Sequence, residues 1–317
     1  MVVAVGVSFC IVNTAQRELL VRCLDAVAVE RAALAADNVD SEVLVLDNAS
    51  GDGSVGAARA HRTVDAVIVN RRRRGKSEND TLLLQHAQAP FALLLNEDSE
   101  LRPGATTELL RALREDGSAG AAGARLLRPD GTPQACAWRF PTVATALAGA
   151  LCLHRIVTVQ SKGSATRSVD WAQSAALLVR TEAATQIQWF DPQFFVYSDE
   201  VDFCKRLAQA GWRTLFVPDA VAVHHEQLST DIVPEKRIVE LSRNRDRYMR
   251  KHHSRASAWA VRWLTAYTYF VRSLVAVVLP GHDPRRYRHH VRATLRPQEG
   301  EGLREAAYEH DKGGARV

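Results

Sequence analysis

Acidic and amide side chains follow a run of leucines near residue 95, and this grouping is typical of a metal site. The sequence L-L-L-N-E-D-S-E places Asn96, Glu97 and Asp98 directly after an apolar segment. Clustered oxygen ligands at the end of a strand suit Mg²⁺ or Mn²⁺ bound to a diphosphate, whose departure the ion stabilises. A solvated acidic turn is the alternative interpretation.

A second polar group lies at residues 47–54, in the sequence D-N-A-S-G-D-G-S. The carboxylate of Asp47 accepts hydrogen bonds, and the amide of Asn48 both donates and accepts them. Such groups recognise the edge of a nucleobase or a ribose. Because serine and glycine also favour tight turns, an ordinary surface turn is the alternative.

Three acids, Asp199, Glu200 and Asp202, follow the aromatic-rich segment 189–197 and open a predicted helix. Acids in the first turn of a helix often only complement its dipole. A carboxylate in an aromatic pocket also has the raised proton affinity of a general base. Further along, an alternating segment ends at His224, whose neutral imidazole could bind a metal, although a lone histidine is usually structural.

Alternating strands and helices must position these groups. Apolar β-forming runs and helical spacing predict strands at 2–12, 42–47, 64–69 and 91–96, and helices at 16–29, 77–88 and 103–115. This alternation predicts an α/β fold with a largely parallel sheet covered by helices on both faces. Ligands of such sheets bind beyond the carboxyl ends of the strands, where the first two polar groups lie.

The middle of the chain is less regular. A Pro-Asp-Gly turn at 129–131 is followed by a predicted hairpin strand at 134–140, a strand at 169–180, a helix at 201–209 and a strand at 214–217. Residues 141–168 give no clear assignment, and 161–168 are predicted to form a loop.

Composition excludes several classes of protein. The 317 residues are 46% hydrophobic and 24% charged, which suits a large globular α/β chain. A net charge of +5 is too small to indicate nucleic-acid binding, so no nucleic-acid partner is expected. Five scattered cysteines without C-x-x-C disfavour disulfides or a zinc site and indicate a reducing, cytoplasmic setting. The apolar N-terminus lacks a basic leader, which favours a first strand over a signal peptide.

Residues 236–317 are predicted to form a basic and amphipathic helical extension of an N-terminal domain at 1–235. Segment 236–255 contains eight Lys or Arg and two acids. Within 256–279, one helical face carries Trp259, Trp263, Ala266, Tyr267, Phe270, Leu274 and Val277, and the other carries Arg255, Arg262, Thr265 and Arg272. This pattern favours peripheral binding to an anionic membrane surface. Packing on the core or on a partner subunit is the alternative, and a homo-oligomer stays open.

Taken in order, the motifs resemble those of a known family. They run V-x-F-x-I-V-N, L-D-N-A-S-x-D-G-S, L-L-L-N-E-D-S-E-L, P-D-G-T, V-D-W-x-x-x-A-A-L-L-V-R, F-D-P-x-F-F-V-Y-S-D-E-V-D-F-C and V-P-D-A-V-A-V-H-H. This set, between residues 2 and 225, resembles the inverting family 2 glycosyltransferases of the rhamnosyltransferase-like branch. The resemblance implies the GT-A fold, with a mostly parallel central sheet flanked by helices.

The resemblance also implies an activity. A sugar would move from a nucleotide-diphosphate donor, such as dTDP-rhamnose or a UDP-sugar, to a hydroxyl of a glycan or polyprenyl-linked acceptor, with inversion. A cytoplasmic enzyme at the inner face of the cell membrane is expected.

By position in the motifs, the resemblance assigns roles to particular residues. The donor would be bound by Asp47, Asn48, Asn96, Asp98 and Ser174, and Mg²⁺ or Mn²⁺ by Asp98 and His224. Glu200 would be the general base, supported by Asp199 and Asp202.

The chain departs from the family pattern at several points. Asn96 replaces the first acid of a D-x-D-like motif, Ser174 replaces a usual glycine, and Asp199-Glu200 reverses the common order, so that either acid could be the base. These departures keep open a non-catalytic binding or scaffold protein. A nucleotidyltransferase is disfavoured, because N-T-A-Q follows the first strand instead of a glycine-rich basic loop. The arginines of segment 71–74 would meet phosphate or be solvated.

Overall fold

Strands and helices alternate through the first part of the chain, as predicted. In the computed structural model, which describes residues 5–226, 234–279 and 281–314, they are β1 (Val5–Asn13), α1 (Arg17–Ala36), β2 (Asp40–Asp47), α2 (Ser54–Ala60), β3 (Ala66–Val69), α3 (Lys76–His86), β4 (Phe91–Asn96), β5 (Ser99–Leu101) and α4 (Ala105–Glu115). Residues 2–4 of the predicted first strand lie outside the described residues. Helix α1 continues past residue 29, because Leu34 still packs into the core.

The second part contains shorter elements and a helical C-terminus. These are β6 (Ala119–Leu127), β7 (Pro133–Gln134), β8 (Ala137–Trp138), α5 (Val143–Ala150), α6 (His154–Val157), β9 (Arg167–Val169), β10 (Trp171–Ala172), β11 (Ala176–Arg180), α7 (Thr181–Gln186), α8 (Asp199–Gln209), β12 (Arg213–His224), α9 (Pro234–His252), α10 (Arg255–Val275), α11 (Pro284–Leu295) and α12 (Leu303–Gly314). The segment that gave no clear assignment therefore contains two short helices, and the predicted loop ends in β9.

One mixed sheet organises the fold, in the order β3-β2-β1-β4-β11-β6-β12-β5. Strand β1 pairs in parallel with both β2 and β4, so their carboxyl ends meet at one edge. Continuous apolar strands such as β4 are buried on both faces, as expected for a parallel sheet covered by helices. The predicted α/β fold class is confirmed, but the expectation of a largely parallel sheet is wrong, because β11 runs antiparallel to both β4 and β6, and β5, β7 and β9 also pair antiparallel.

Two predicted strands are wrong in extent. The strand expected at 169–180 is divided, because β10 pairs with β8 in a separate two-stranded sheet, whereas β11 lies between β4 and β6. The hairpin strand expected at 134–140 is divided for the same reason. Of the two short strands in this range, β7 pairs with β6, whereas β8 pairs with β10.

Strand β12 is longer than the predicted segment 214–217. Its register shifts between Val217 and Val221, where Pro218 lacks the N–H that a regular ladder needs. Beyond this irregularity the strand pairs antiparallel with β5, and His224 lies opposite Ser99. The pairing brings the end of β12 to the end of β4.

Helix α9 is joined to α8 through buried charges. The carboxylate of Asp202 lies 2.7 Å from the side-chain nitrogens of Arg206, Lys251 and His252. Burial alone raises the pKa of Asp202, but these partners hold it below its usual value. The C-terminal helices thus contact the N-terminal domain closely, and the division at residue 235 stays a prediction.

Replacing Asp202 by Asn should destabilise the protein by about 3–5 kcal/mol at pH 7, because Arg206, Lys251 and His252 lose a buried carboxylate partner. A depressed pKa means that this stabilisation is present above the unfolded-state value near 3.8 and is lost as pH falls through the folded-state pKa. Urea unfolding of both proteins at pH 7 and below pH 4 measures the difference. A gap that does not shrink in acid would contradict this assignment.

Candidate active site

A cavity of about 220 Å³ opens at the carboxyl ends of β1, β2 and β4. This is the edge where the parallel sheet was expected to bind a ligand. Its wall combines polar groups from the strand ends with residues of later segments, namely Val12, Thr14, Asn48, Arg73, Arg74, Lys76, Asn79, Asn96, Glu97, Asp98, Phe195, Val196, Tyr197, Leu303, Ala306 and Ala307. The site thus draws on nearly the whole length of the chain.

Asp47 and Asn48, in the polar group at residues 47–54, have different positions. Asp47 is buried beneath the cavity, where its carboxylate accepts hydrogen bonds from the Asn13 side chain at 3.0 Å and the Ser50 backbone N–H at 2.9 Å. Asn48 lines the cavity and is held by the Arg74 backbone, whose N–H donates to its Oδ1 at 2.8 Å. Asp47 therefore shapes the turn that presents Asn48.

Asp98 and His224 lie close together, as expected from the sequence, but only Asp98 is part of the cavity wall. Nε2 of His224 lies 3.4 Å from Oδ1 of Asp98, and both residues are buried. Oδ2 of Asp98 and Nε2 of His224 have no hydrogen-bond partner. Buried polar atoms are normally satisfied, so this pair of orphaned atoms is a candidate ligand site.

The amide of Gln134 contacts one ring nitrogen of His224. Its Nε2 donates to Glu226 at 2.8 Å, and both its Nε2 and its Oε1 lie 3.2 Å from Nδ1 of His224. Nε2 of His224 is therefore the ring nitrogen that faces Asp98. When Oε1 of Gln134 accepts from Nδ1–H, the lone pair is on Nε2, which is the form that binds a metal.

Two arginines of segment 71–74 face the cavity, whereas Arg71 and Arg72 are exposed to solvent. Nε of Arg73 and Nε of Arg74 are both buried without a hydrogen-bond partner. Burial lowers the pKa of Arg73, although Asp311 and Asp47 act in the opposite direction. Unpaired guanidinium groups in a cavity form a site for an anion such as a diphosphate.

A buried charge cluster lies behind these arginines. Nζ of Lys76, in the cavity wall, is 2.6 Å from the carboxylate of Asp80. Although burial opposes it, Asp80 raises the pKa of Lys76, and Asp199 and Glu200 add to the effect. The i,i+4 spacing of Lys76 and Asp80 is visible in the sequence, but that both would be buried at the site is not.

The two predicted catalytic acids differ in their surroundings. Asp199 is fully buried, and neither carboxylate oxygen has a hydrogen-bond partner. Burial, followed by the charge of Glu200, raises the pKa of Asp199 well above its usual range. Glu200 is only partly buried. Neither residue lines the cavity itself, and Lys76 links them electrostatically to its wall.

Left-handed backbone precedes the pair of acids. Tyr197 has φ of 64° and Ser198 has φ of 62°, a region that residues with a side chain rarely adopt. Such strain is concentrated at functional sites because the surrounding structure must stabilise it. Here it turns the chain so that Tyr197 lines the cavity and α8 starts at Asp199.

The remaining predicted residues have different positions. Asn96 lines the cavity as expected. Ser174 is buried outside the cavity wall, and its hydroxyl has no partner. The carboxylate of Asp202 pairs with α9 and does not reach the cavity. The expectation that Asp202 supports the base is therefore wrong, and its role is structural. Glu97 accepts a hydrogen bond from the Thr14 backbone, and burial raises its pKa to about 8.

Helix α12 closes one side of the cavity, which no local pattern in the sequence predicted. Leu303, Ala306 and Ala307 lie in the wall, and Asp311 accepts a hydrogen bond from the Arg73 backbone at 2.9 Å. The C-terminal helices are therefore part of this site.

Comparison with known families agrees with this geometry. The model of glycosyl transferase family group 2 matches residues 92–293, and that of glycosyl transferase family 2 matches residues 8–136. The chain belongs to glycosyl transferase family group 2. The family resemblance drawn from the motifs is thereby confirmed.

Curated relatives of this family 2 glycosyltransferase are rhamnosyltransferases. N-acetylglucosaminyl-diphospho-decaprenol L-rhamnosyltransferase from two strains of Mycobacterium tuberculosis is 28% identical over 195 residues, which is 59% of this chain. Rhamnosyltransferase WbbL of Escherichia coli K12 is 37% identical over 57 residues, covering 18% of this chain and 22% of its own. The chain spans 64% of the length of the mycobacterial relatives.

Solved structures confirm the GT-A fold. The mannosyltransferase PcManGT from Pyrobaculum calidifontis, in complex with GDP-Man and Mn²⁺, matches with a TM-score of 0.58 at 16% identity, over 92% of this chain and 85% of its own. GalNAc-T7 with UDP, GalNAc and Mn²⁺ matches with a TM-score of 0.57 at 14% identity, over 92% of this chain and 56% of its own.

The Lys76–Asp80 pair is testable without substrate. Lys76→Met should destabilise the glycosyltransferase by about 3–5 kcal/mol, because it leaves the buried Asp80 unpaired. Combining it with Asp80→Leu should recover the part of that loss that comes from the unpaired Asp80, since both members of the pair are then removed. Urea unfolding of the two single variants and the double variant gives the coupling energy. Additive losses would show that the two side chains do not interact.

Proposed function

We propose that this glycosyltransferase moves a sugar from a nucleotide-diphosphate donor to a hydroxyl of a lipid-linked glycan, with inversion. The observation that carries the proposal is the cavity whose wall contains Arg73, Arg74 and Asp98, with the buried His224 3.4 Å from the Asp98 carboxylate and the Nε atoms of both arginines without a hydrogen-bond partner. The acceptor class is supported by the mycobacterial relatives, whose name describes action on a diphospho-decaprenol compound.

The donor occupies the cavity in this proposal. Arg73 and Arg74 bind the diphosphate, because guanidinium groups match its charge and oxygen geometry. Asn48 contacts the nucleobase or ribose, with Asp47 holding its turn, and Asn96 lies beside the diphosphate. The buried Ser174 supports the donor-sugar side from beneath. Both dTDP-rhamnose and UDP-sugars stay open as donors.

Asp98 and His224 fit a divalent cation, either Mg²⁺ or Mn²⁺. Their orphaned carboxylate oxygen and imidazole nitrogen are a donor set that binds such ions. Within residues 5–226, 234–279 and 281–314, no cluster of three or more metal-binding side chains occurs. Diphosphate oxygens and water would supply the other ligands. A bound ion offsets the charge of the leaving diphosphate.

Glu200 is the general base in this proposal. Asp199 is fully buried, so it cannot meet an acceptor, and burial together with the charge of Glu200 raises its pKa. Glu200 takes the proton of the acceptor hydroxyl while that oxygen bonds to the anomeric carbon. The bond from this carbon to the diphosphate oxygen breaks on the opposite face, and a single displacement inverts the configuration.

The proposed partners place the enzyme at a membrane. A polyprenyl-linked acceptor is embedded in a bilayer, so we propose a peripheral protein on the cytoplasmic face. In the part of the chain that the structure describes, no helix has the length and apolar character to cross a membrane. A homo-oligomer stays a prediction.

Glu200→Gln should lower turnover by about a thousandfold, because an amide cannot accept the hydroxyl proton. Affinity for UDP or dTDP should stay within about twofold of wild type, since Glu200 lies outside the donor cavity. Transfer assays with nucleotide-sugar donors and calorimetry with the free nucleotides measure the two effects. Asp199→Asn is the matched variant. If it abolishes transfer while Glu200→Gln remains active, Asp199 is the base.

Asp98→Asn and His224→Gln should each weaken Mn²⁺ binding in the presence of UDP or dTDP by about 10- to 100-fold, because each removes one protein ligand. Paramagnetic resonance of free Mn²⁺ measures the affinity. Glu100→Gln is the control, because this nearby carboxylate pairs with His225 at 2.7 Å. Equal Mn²⁺ affinity in the Asp98 variant and the control would remove Asp98 from the metal site.

A further inference from the structure

An aromatic face of α10 is exposed to solvent. Trp259, Trp263, Tyr267, Phe270 and Leu274 follow one another at helical spacing, and each side chain is at least half exposed. The buried residues of the helix are Ala258, Val261, Ala266 and Ser273. The aromatic face predicted from the sequence is therefore present and directed outward, except that Ala266, which was assigned to it, is buried.

The exposed apolar surface continues onto α5 and α6. Helix α5 packs against α10, and Leu147, Leu151, Leu153 and Ile156 are exposed beside it. Outside segments 143–157 and 259–279, the exposed large hydrophobic side chains of the described residues are only Val29, Val69 and Tyr308. Monomeric soluble proteins rarely expose a continuous apolar patch of this kind, and such patches mark interaction sites.

Arginines surround a cavity that opens between α5 and α10. It has a volume of about 310 Å³, and its wall contains Trp138, Trp171, Arg139, Arg245 and Arg272 but no acidic side chain. Trp138 and Trp171 are stacked, with ring centroids 4.5 Å apart. The wall is therefore a cationic pocket, and its α10 residues Val261, Thr265 and Arg272 lie on the face of the helix opposite the exposed aromatic side chains.

The charges around this pocket are not balanced by acids. Arg245 lies in the pocket wall, which contains no acidic side chain. Burial, and then Arg245 and Arg286, lower the pKa of the neighbouring His290 to about 4, with Arg272 adding to the effect. Helix α11 adds four arginines and no acid along its length. An anionic partner would complement this surface.

A second copy of the chain and a lipid bilayer would each cover an apolar face, and the surrounding charges distinguish between these two occupants. A symmetric dimer would place the same surface of each copy against the other, so that arginines would face arginines. An anionic bilayer has an apolar interior and a negative surface, which complement the aromatic face and the arginines. Tryptophan and tyrosine are also the side chains that favour the membrane interface.

We propose that the surface formed by α5, α6 and α10 docks on an anionic phospholipid bilayer, with α10 in the interfacial plane and a lipid phosphate in the Arg139–Arg245–Arg272 cavity. This proposal deepens the proposed function. It rests on that function in one respect, namely that the acceptor is lipid-linked. Binding to lipid itself requires neither donor nor acceptor.

Vesicle sedimentation of the full chain tests the proposal. The wild type should sediment with an equimolar mixture of phosphatidylcholine and phosphatidylglycerol, and far less with phosphatidylcholine alone. The triple variant Trp259→Ser, Trp263→Ser and Phe270→Ser should bind at least about tenfold more weakly, since it removes the largest inserting side chains. These exposed positions contribute little to folding. Val29→Ser with Val69→Ser is the matched control and should bind as wild type.

The cationic cavity has its own variants. Arg245→Gln and Arg272→Gln should each weaken binding to phosphatidylglycerol vesicles by about fivefold, with little effect on phosphatidylcholine vesicles. The Glu200→Gln protein should sediment as wild type, which separates membrane docking from sugar transfer.

Three results would overturn the proposal. One is no sedimentation of the wild type with phosphatidylglycerol vesicles. Another is unchanged binding by the triple variant. The third is a lipid-independent dimer, seen by light scattering, that the triple variant converts to a monomer.

Discussion

The antiparallel pairing of β5 with β12 is the constraint on which the active site depends. This pairing sets His224 opposite Ser99, and the His225 backbone N–H donates to the Asp98 carbonyl at 3.0 Å. The last residues of β12 are thereby fixed against the end of β4, so an imidazole and a carboxylate from distant parts of the chain meet. Loss of this register by one residue would turn His224 to the other face of the sheet.

Burial of charge is the second organising feature of the molecule. Lys76 lies close to the acids Asp80 and Asp199, whose charges raise its pKa. Asp202, in the first turn of α8, pairs instead with side chains of α8 and α9. Buried charges are retained where partners surround them. Asp199 and Asp202, both in the first turn of α8, therefore differ: burial raises the pKa of Asp199, whereas the partners of Asp202 hold its pKa below its usual value. The left-handed Tyr197–Ser198 turn directly precedes this helix.

The C-terminal helices link this site to the proposed membrane surface. Helix α12 contributes to the cavity wall, α9 is held to α8 by Asp202, and α10 presents its aromatic face outward. The cavity and the proposed docking surface are therefore parts of one packed structure. Contacts between α9 and α8, and between α12 and the rest of the cavity wall, cross the predicted domain boundary at residue 235.

The sequence by itself determined the α/β fold, because apolar strands such as β4 are continuous runs and polar residues follow their ends. It also identified Asp98 with His224 and the two faces of α10, since motif order and helical spacing are local properties. Only the tertiary structure decided that Asp199 is buried, that Asp202 faces α9 and that α12 lines the cavity. Such contacts join residues as much as 238 positions apart, as between Arg73 and Asp311. No local pattern records them, because burial depends on the elements that later pack against a segment.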